Sequence, residues 1–171
     1  MAEQRTDGVD ANRITVGLQR VYLKDSSFEA PNSPSIFTGE WHPTVQLSIN
    51  TSTNDLGGGA FEAVLSVTVE AKQDDKTAFL IEVQQAGLFV LQGLEAGDMQ
   101  RAVMIFCPQQ LYPYAREVVA DLSGKGGFPA LQLQPVNFEA VAAEALRRQQ
   151  AEQEGQSAEA AAPGQPPETG Q

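Results

Sequence analysis

Cysteine and histidine are nearly absent from this sequence: Cys107 and His42 are single occurrences among 171 residues. A lone Cys cannot close an internal disulfide, so no cross-linked secreted framework is encoded. One Cys and one His cannot furnish the ligands of a structural zinc site, so none is expected. Basic residues are scarce too, with 11 Lys and Arg against 22 Asp and Glu, for a net charge of −11. Nucleic-acid binding needs a basic face that releases counterions from phosphates, so no nucleic-acid partner is expected. The same sign disfavours an electrostatic hold on anionic lipid, whereas a basic or apolar partner fits it. No run of about 18 apolar residues occurs, so no direct membrane insertion is expected. Met1 to Val9 carries Glu3, Arg5 and Asp7 without an apolar centre, which does not read as a signal peptide. A cytoplasmic protein is the expectation.

What is present marks where a core can form. All eight Phe, all three Tyr and the only Trp lie within residues 14–148, the expected domain. Residues 1–13 are polar and read as a flexible N-terminal segment. From Gln149 the chain has no aromatic and no basic residue, and four Glu stand among Gln, Ala, Gly and Pro. Ordering a backbone costs about 1–2 kcal/mol per residue, and such a composition has little apolar surface to offset it. Residues 149–171 therefore read as a disordered acidic tail.

Between these ends the hydrophobic period changes once. Ile14, Val16 and Leu18 alternate with polar residues and predict a first strand, followed by a long loop with Phe28, Pro31, Pro34 and Phe37. Val45, Leu47 and Ile49 predict a second strand. Phe61, Ala63, Leu65, Val67 and Val69 predict a third, which turns at Lys72–Lys76 into a fourth over Thr77 to Phe89. After Gly97 the apolar spacing becomes helical, from Met99 through Val103, Phe106, Leu111, Tyr114 and Val118 to Leu122. Pro108 and Pro113 should kink or rebuild that helix, and Gly124, Gly126 and Gly127 should end it. Asn137 is a plausible N-cap for a last helix to about Arg148. Strands first and helices afterwards make an α+β fold.

Catalytic patterns are thin. Cys107 sits in the apolar stretch Phe106-Cys107-Pro108, where a Cys is usually a small hydrophobe, although a small acidic cytosolic enzyme using Cys107 is one alternative. His42 reads as a loop residue more than as a general base. Gly57-Gly58-Gly59 and Gly124-Lys125-Gly126-Gly127 lack the spacing and the Lys-Ser/Thr ending of a phosphate loop. No catalytic residue is assigned.

Two features carry a second reading. In Ala78-Phe79-Leu80-Ile81-Glu82-Val83, alternation puts Phe79, Ile81 and Val83 on one face and Leu80 with Glu82 on the other. The latter pair is either ordinary surface or a partner site. In the loop beginning at Asp25, Phe28, Phe37 and Trp41 either pin the connection to the core or line a groove for another chain's apolar segments.

Longer stretches are familiar. Tyr22-Leu23-Lys24-Asp25-Ser26-Ser27-Phe28-Glu29-Ala30-Pro31-Asn32, Phe79-Leu80-Ile81-Glu82-Val83-Gln84-Gln85-Ala86-Gly87 and Cys107-Pro108-Gln109-Gln110-Leu111-Tyr112-Pro113-Tyr114-Ala115-Arg116-Glu117 closely resemble the SecB family of protein-export chaperones. Phe128-Pro129-Ala130-Leu131-Gln132-Leu133 and Pro135-Val136-Asn137-Phe138 extend the likeness. The resemblance implies a four-stranded antiparallel sheet with two helices on one side, assembled as a homotetramer, a dimer of dimers. Four copies of −11 would total −44.

It implies a cytosolic holdase that binds unfolded precursor proteins and delivers them to the SecA ATPase, with no cofactor. Asp25, Glu29, Leu80 and Glu82 match the family's acidic docking surface for the basic, zinc-bearing C-terminal segment of SecA. The tail and the end of the last helix match a second, looser contact. The family's client groove lies between the long loop and the last helix; loop position and aromatic character nominate Phe28, Phe37 and Trp41 as client-binding residues. The chain departs from the family in its Ala-rich last helix, Phe138 to Leu146, and in its long Pro/Gln-rich tail. An acidic scaffold without holdase action is the other alternative.

Overall fold

The computed structural model describes residues 13–160, in two compact units that divide between Val136 and Asn137. The expected 14–148 domain spans that division. Four antiparallel strands come first: β1 (Thr15–Glu29), β2 (Thr44–Gly57), β3 (Ala60–Gln73) and β4 (Lys76–Gln92), in the spatial order β1-β4-β3-β2. Two tight turns set the register. Gly58 and Gly59, both at positive φ, join β2 to β3, and Asp74 and Asp75 (φ 51° and 60°) join β3 to β4. Asp is among the few non-glycine types that enter this left-handed region at modest cost.

The sheet has one buried and one open face. Leu65, Val67, Val69, Phe79, Ile81, Val83, Phe89 and Leu91 lie on the same side and are at most 1% exposed. A continuous helical run covers that side: α1 (Ala96–Arg101), a π-helical segment (Ala102–Phe106) and α2 (Cys107–Lys125), with α2 lying over β4, β3 and β1. Leu111, Ala115 and Val119 on α2 are fully buried. Phe106 meets Phe89 edge to face at 6.1 Å.

Two sequence expectations need correction, the end of β1 and the end of the last helix. β1 does not stop near Leu18 but continues to Glu29, so Asp25, Phe28 and Glu29 stand on a strand and not in a loop. Bulges at Leu18/Arg20 and Leu23/Asp25 shift the phase of the side chains, which erases the period-two signal. Pro113 lies inside α2 without ending it. The adjustment is made ahead of Pro108, where the Cys107 N–H bonds to the carbonyl of Ala102, five residues back. This wider turn accommodates the proline ring and its missing donor.

In the second unit, α3 runs from Phe138 to Ala160, well past Arg148. Asn137 Oδ1 accepts the Ala140 N–H at 3.1 Å, the expected cap. Glu144 bonds Arg148 at 3.1 Å one turn on. Ala, Glu, Gln and Arg are good helix formers, so a segment with little apolar surface still continues the helix. The tail's remainder, 161–171, and most of the N-terminal segment, 1–12, lie outside the described residues.

α2 lies close against the sheet at Gly87. A Cβ there would stand 2.8 Å from the Phe89 ring and 2.9 Å from a Leu111 methyl. Gly87→Val should therefore lift the helix and cost about 1–3 kcal/mol, read as a lower urea midpoint at unchanged slope.

Candidate functional site

The open face of the sheet is built by register. Glu29 on β1 pairs with Leu80 on β4, and Leu80 pairs with Glu70 on β3. In the next row Ser27 faces Glu82, which faces Thr68; in the third, Asp25 faces Gln84. Side chains of paired residues emerge on the same side, so Asp25, Glu29, Leu80 and Glu82 share one patch on the face opposite α2. Asp25, Glu29 and Glu82 are exposed and Leu80 is half-buried among them. Among the described residues none of these three carboxylates has a basic group within 4.0 Å. Glu70, which sequence reasoning missed, completes the row; it lies 3.3 Å from Lys72 and accepts the Thr77 hydroxyl at 3.0 Å. Its signal was the alternation of β3, which puts Glu70 opposite the core residues.

Further along this face, Glu62 on β3 receives two donors from β1. Lys24 Nζ reaches it at 2.8 Å and the Tyr22 hydroxyl donates to the same carboxylate oxygen. Both cross β4 beside Ala86, a fully buried residue whose methyl leaves room for the span. The Lys24 and Tyr22 hydrogen bonds hold the Glu62 carboxyl below its ordinary range, while the bond to Glu62 raises the Tyr22 hydroxyl. A lowered carboxyl stays ionised as pH falls through the usual Glu value, so only stronger acid releases Lys24.

The second cluster is aromatic. Because β1 and β2 lie at opposite edges, residues 30–43 must cross the ends of β4 and β3. Asn32 Nδ2 donates to the Thr77 carbonyl at 2.9 Å, and the His42 N–H donates to Gln73 Oε1 at 2.8 Å, tying the crossing down. Phe37 and Trp41 meet the Phe128 ring at 4.9 and 5.2 Å. Phe128 packs on Phe79 at 4.9 Å, and Phe28 stacks on Phe79 at 6.1 Å. All three nominated residues thus share one cluster, whose base, Phe79 and Phe128, sequence reasoning left out of the site.

Local chemistry positions Phe128. The Ser123 hydroxyl bonds back to the carbonyls of Val119 and Ala120 and accepts the Leu131 N–H at 2.9 Å. A Cβ on Gly126 would stand 2.1 Å from the Phe28 ring, so only glycine lets the chain pass. Phe79 and Phe128 are buried, Phe28 and Trp41 half-buried, and Phe37 is 46% exposed. Phe28 and Trp41 therefore anchor the crossing, and Phe37 presents apolar surface to solvent.

The preprotein translocase subunit SecB family matches residues 10–150. This chain belongs to the SecB family. It is 52% identical over 143 residues to the protein-export protein SecB of Hahella chejuensis, covering 84% of this chain and 90% of that one. It is 44% identical over 157 residues to the SecB of Marinobacter nauticus, covering 92% and 95%. Its fold is similar to that of a Mycobacterium tuberculosis SecB-like chaperone solved with a ChAD peptide from the HigA1 antitoxin. That likeness has a TM-score of 0.59 at 20% identity and covers 71% of this chain and 90% of the other. The expected fold class is met, and the chain is a protein-export chaperone. SecB is a chaperone family and not an enzyme class. Among the described residues no helix is long and apolar enough to cross a membrane.

The Cys107 alternative finds no support in the site geometry. The thiol is fully buried, and desolvation pushes it up from its ordinary 9.0 to about 12. A neutral, buried thiol is a poor nucleophile at neutral pH. Because the folded value is raised, the unfolded chain loses its thiol proton first, so this group's contribution to stability falls as pH rises from about 9 towards 12. Iodoacetamide at pH 8 should label Cys107 only on unfolding, which peptide mass mapping with and without urea will show.

Proposed function

We propose that this SecB-family chain works in the cytoplasm as a non-enzymatic homotetramer, a dimer of dimers, that holds unfolded precursors and hands them to SecA. The observation that carries the SecA half is the register of the open sheet face. It brings Asp25, Glu29 and Glu82 around Leu80 with no basic group compensating the three carboxylates among the described residues. Such a patch attracts a basic peptide over about 8 Å at physiological salt, a fast and salt-sensitive contact of modest strength. Leu80 supplies an apolar point of contact among the charges. The basic, zinc-bearing C-terminal segment of SecA is the proposed occupant.

The client half rests on the aromatic cluster. Phe37 offers an exposed ring whose underside is supported by Phe128, and Trp41 stands beside it. Flat, braced aromatic surface binds apolar segments of any sequence at low entropic cost. A chaperone that binds only the unfolded state shifts a client by about 2.7 kcal/mol at a hundredfold excess over the dissociation constant. That is a sizeable part of the usual 5–15 kcal/mol or so of native stability, so slow folders are held while fast folders escape.

Three measurements test this. A denatured precursor should refold more slowly in the presence of the protein, with a change in Trp41 emission; an unaltered refolding rate refutes the holdase. Glu82→Lys and Asp25→Ala should weaken SecA binding roughly tenfold and leave client binding nearly unchanged. Equal loss of both, with assembly intact, would place SecA elsewhere. Mass in solution should be four times the 18.3 kDa chain.

A further inference from the structure

The bulge in β1 puts two consecutive residues of opposite charge on the same face. Leu23 pairs with Gln85 and Asp25 with Gln84, so Lys24 is the extra residue between them. Leu23 points to the α2 side with Gln85, whereas Asp25 emerges on the open face with Gln84. Lys24 emerges on the open face too, since its amine meets Glu62 there. An ammonium is thus tethered next to a patch whose three carboxylates pair with no basic group among the described residues. Left to swing freely, it would pair with them and cancel part of the field that attracts a basic ligand.

Lys24 does not swing freely. Its amine is held 2.8 Å from Glu62, and the Tyr22 hydroxyl donates to the same carboxylate oxygen. Lys72 is engaged in the same manner, lying 3.3 Å from Glu70. We infer that Glu62 is a positioning residue for the docking surface: by retaining Lys24 at the far end of the face, it keeps Asp25, Glu29 and Glu82 open to a basic peptide. This deepens the SecA reading and rests on it for the identity of the peptide. The clamp itself requires only that the ligand be cationic.

The test uses the full-length chain and two fluorescent probes, an oligolysine peptide and the zinc-loaded C-terminal segment of SecA, each titrated at low salt. Glu62→Gln removes the carboxylate charge and keeps an acceptor for Tyr22. It should weaken both probes about three- to fivefold, beyond the effect of Glu95→Gln, the same charge change away from this face. Lys24→Met combined with Glu62→Gln should return binding to the wild-type value, because no loose ammonium remains. Lys24→Met alone should tighten binding. A purely structural role for Glu62 would leave the double variant as weak as the single or weaker, and that result overturns the inference. So does Glu62→Gln at the level of the Glu95→Gln control with either probe. If oligolysine follows the expected pattern while the SecA segment binds no variant and not the wild type, the clamp stands and the SecA assignment falls.

Discussion

Because β4 is hydrogen-bonded on both edges, by β1 and by β3, its side chains can leave the sheet in only two directions. Phe79, Ile81, Val83, Phe89 and Leu91 go towards α2 and are buried. Leu80 and Glu82 go the other way, and no described element of the first unit covers that side. The apolar half of the strand holds the helix on the sheet; the polar half becomes surface as a direct consequence. A slip of one residue would exchange the two sets and lose both the core and the acidic patch. The same alternation therefore sets both the core and the acidic face, and neither can be altered without the other.

Strand order imposes the second surface. A connection from β1 to β2 has to travel past two strands, and a stretch that long needs anchoring. Asn32 and His42 anchor it through hydrogen bonds at the strand ends, and Phe28 and Trp41 do so through rings. The rings reach a common base only because α2 ends at two glycines, Gly126 and Gly127, and sends Phe128 back towards Phe79. Apolar surface braced from below in this way keeps its shape in solvent. The charged face is separate from it, on the opposite side of the sheet.

Much of this was legible in the chain. The strands of the long hairpin, its turn at Lys72–Lys76, the split between Phe79 and Leu80, and the Asn137 cap of the last helix all follow from side-chain period and turn chemistry. The end of β1 was not legible, because bulges at Leu18/Arg20 and Leu23/Asp25 interrupt the alternation ahead of Glu29. The π-helical turn was not legible either: Pro108 announces a disturbance but not which residues absorb it. The run of α3 past Arg148 was hidden by a composition that suggests disorder while most of its residue types favour a helix.

The order of residues alone determined the class of fold, the acidic balance and the burial of one face of each inner strand. These are local or summed properties, readable without knowing what touches what. Only the folded chain decided that Glu29 and Glu70 flank Leu80, that Phe37 and Trp41 share a base, and that Lys24 is held by Glu62. Each of those joins residues far apart in the chain through strand register or strand order, and register depends on where bulges fall, which no local pattern reports.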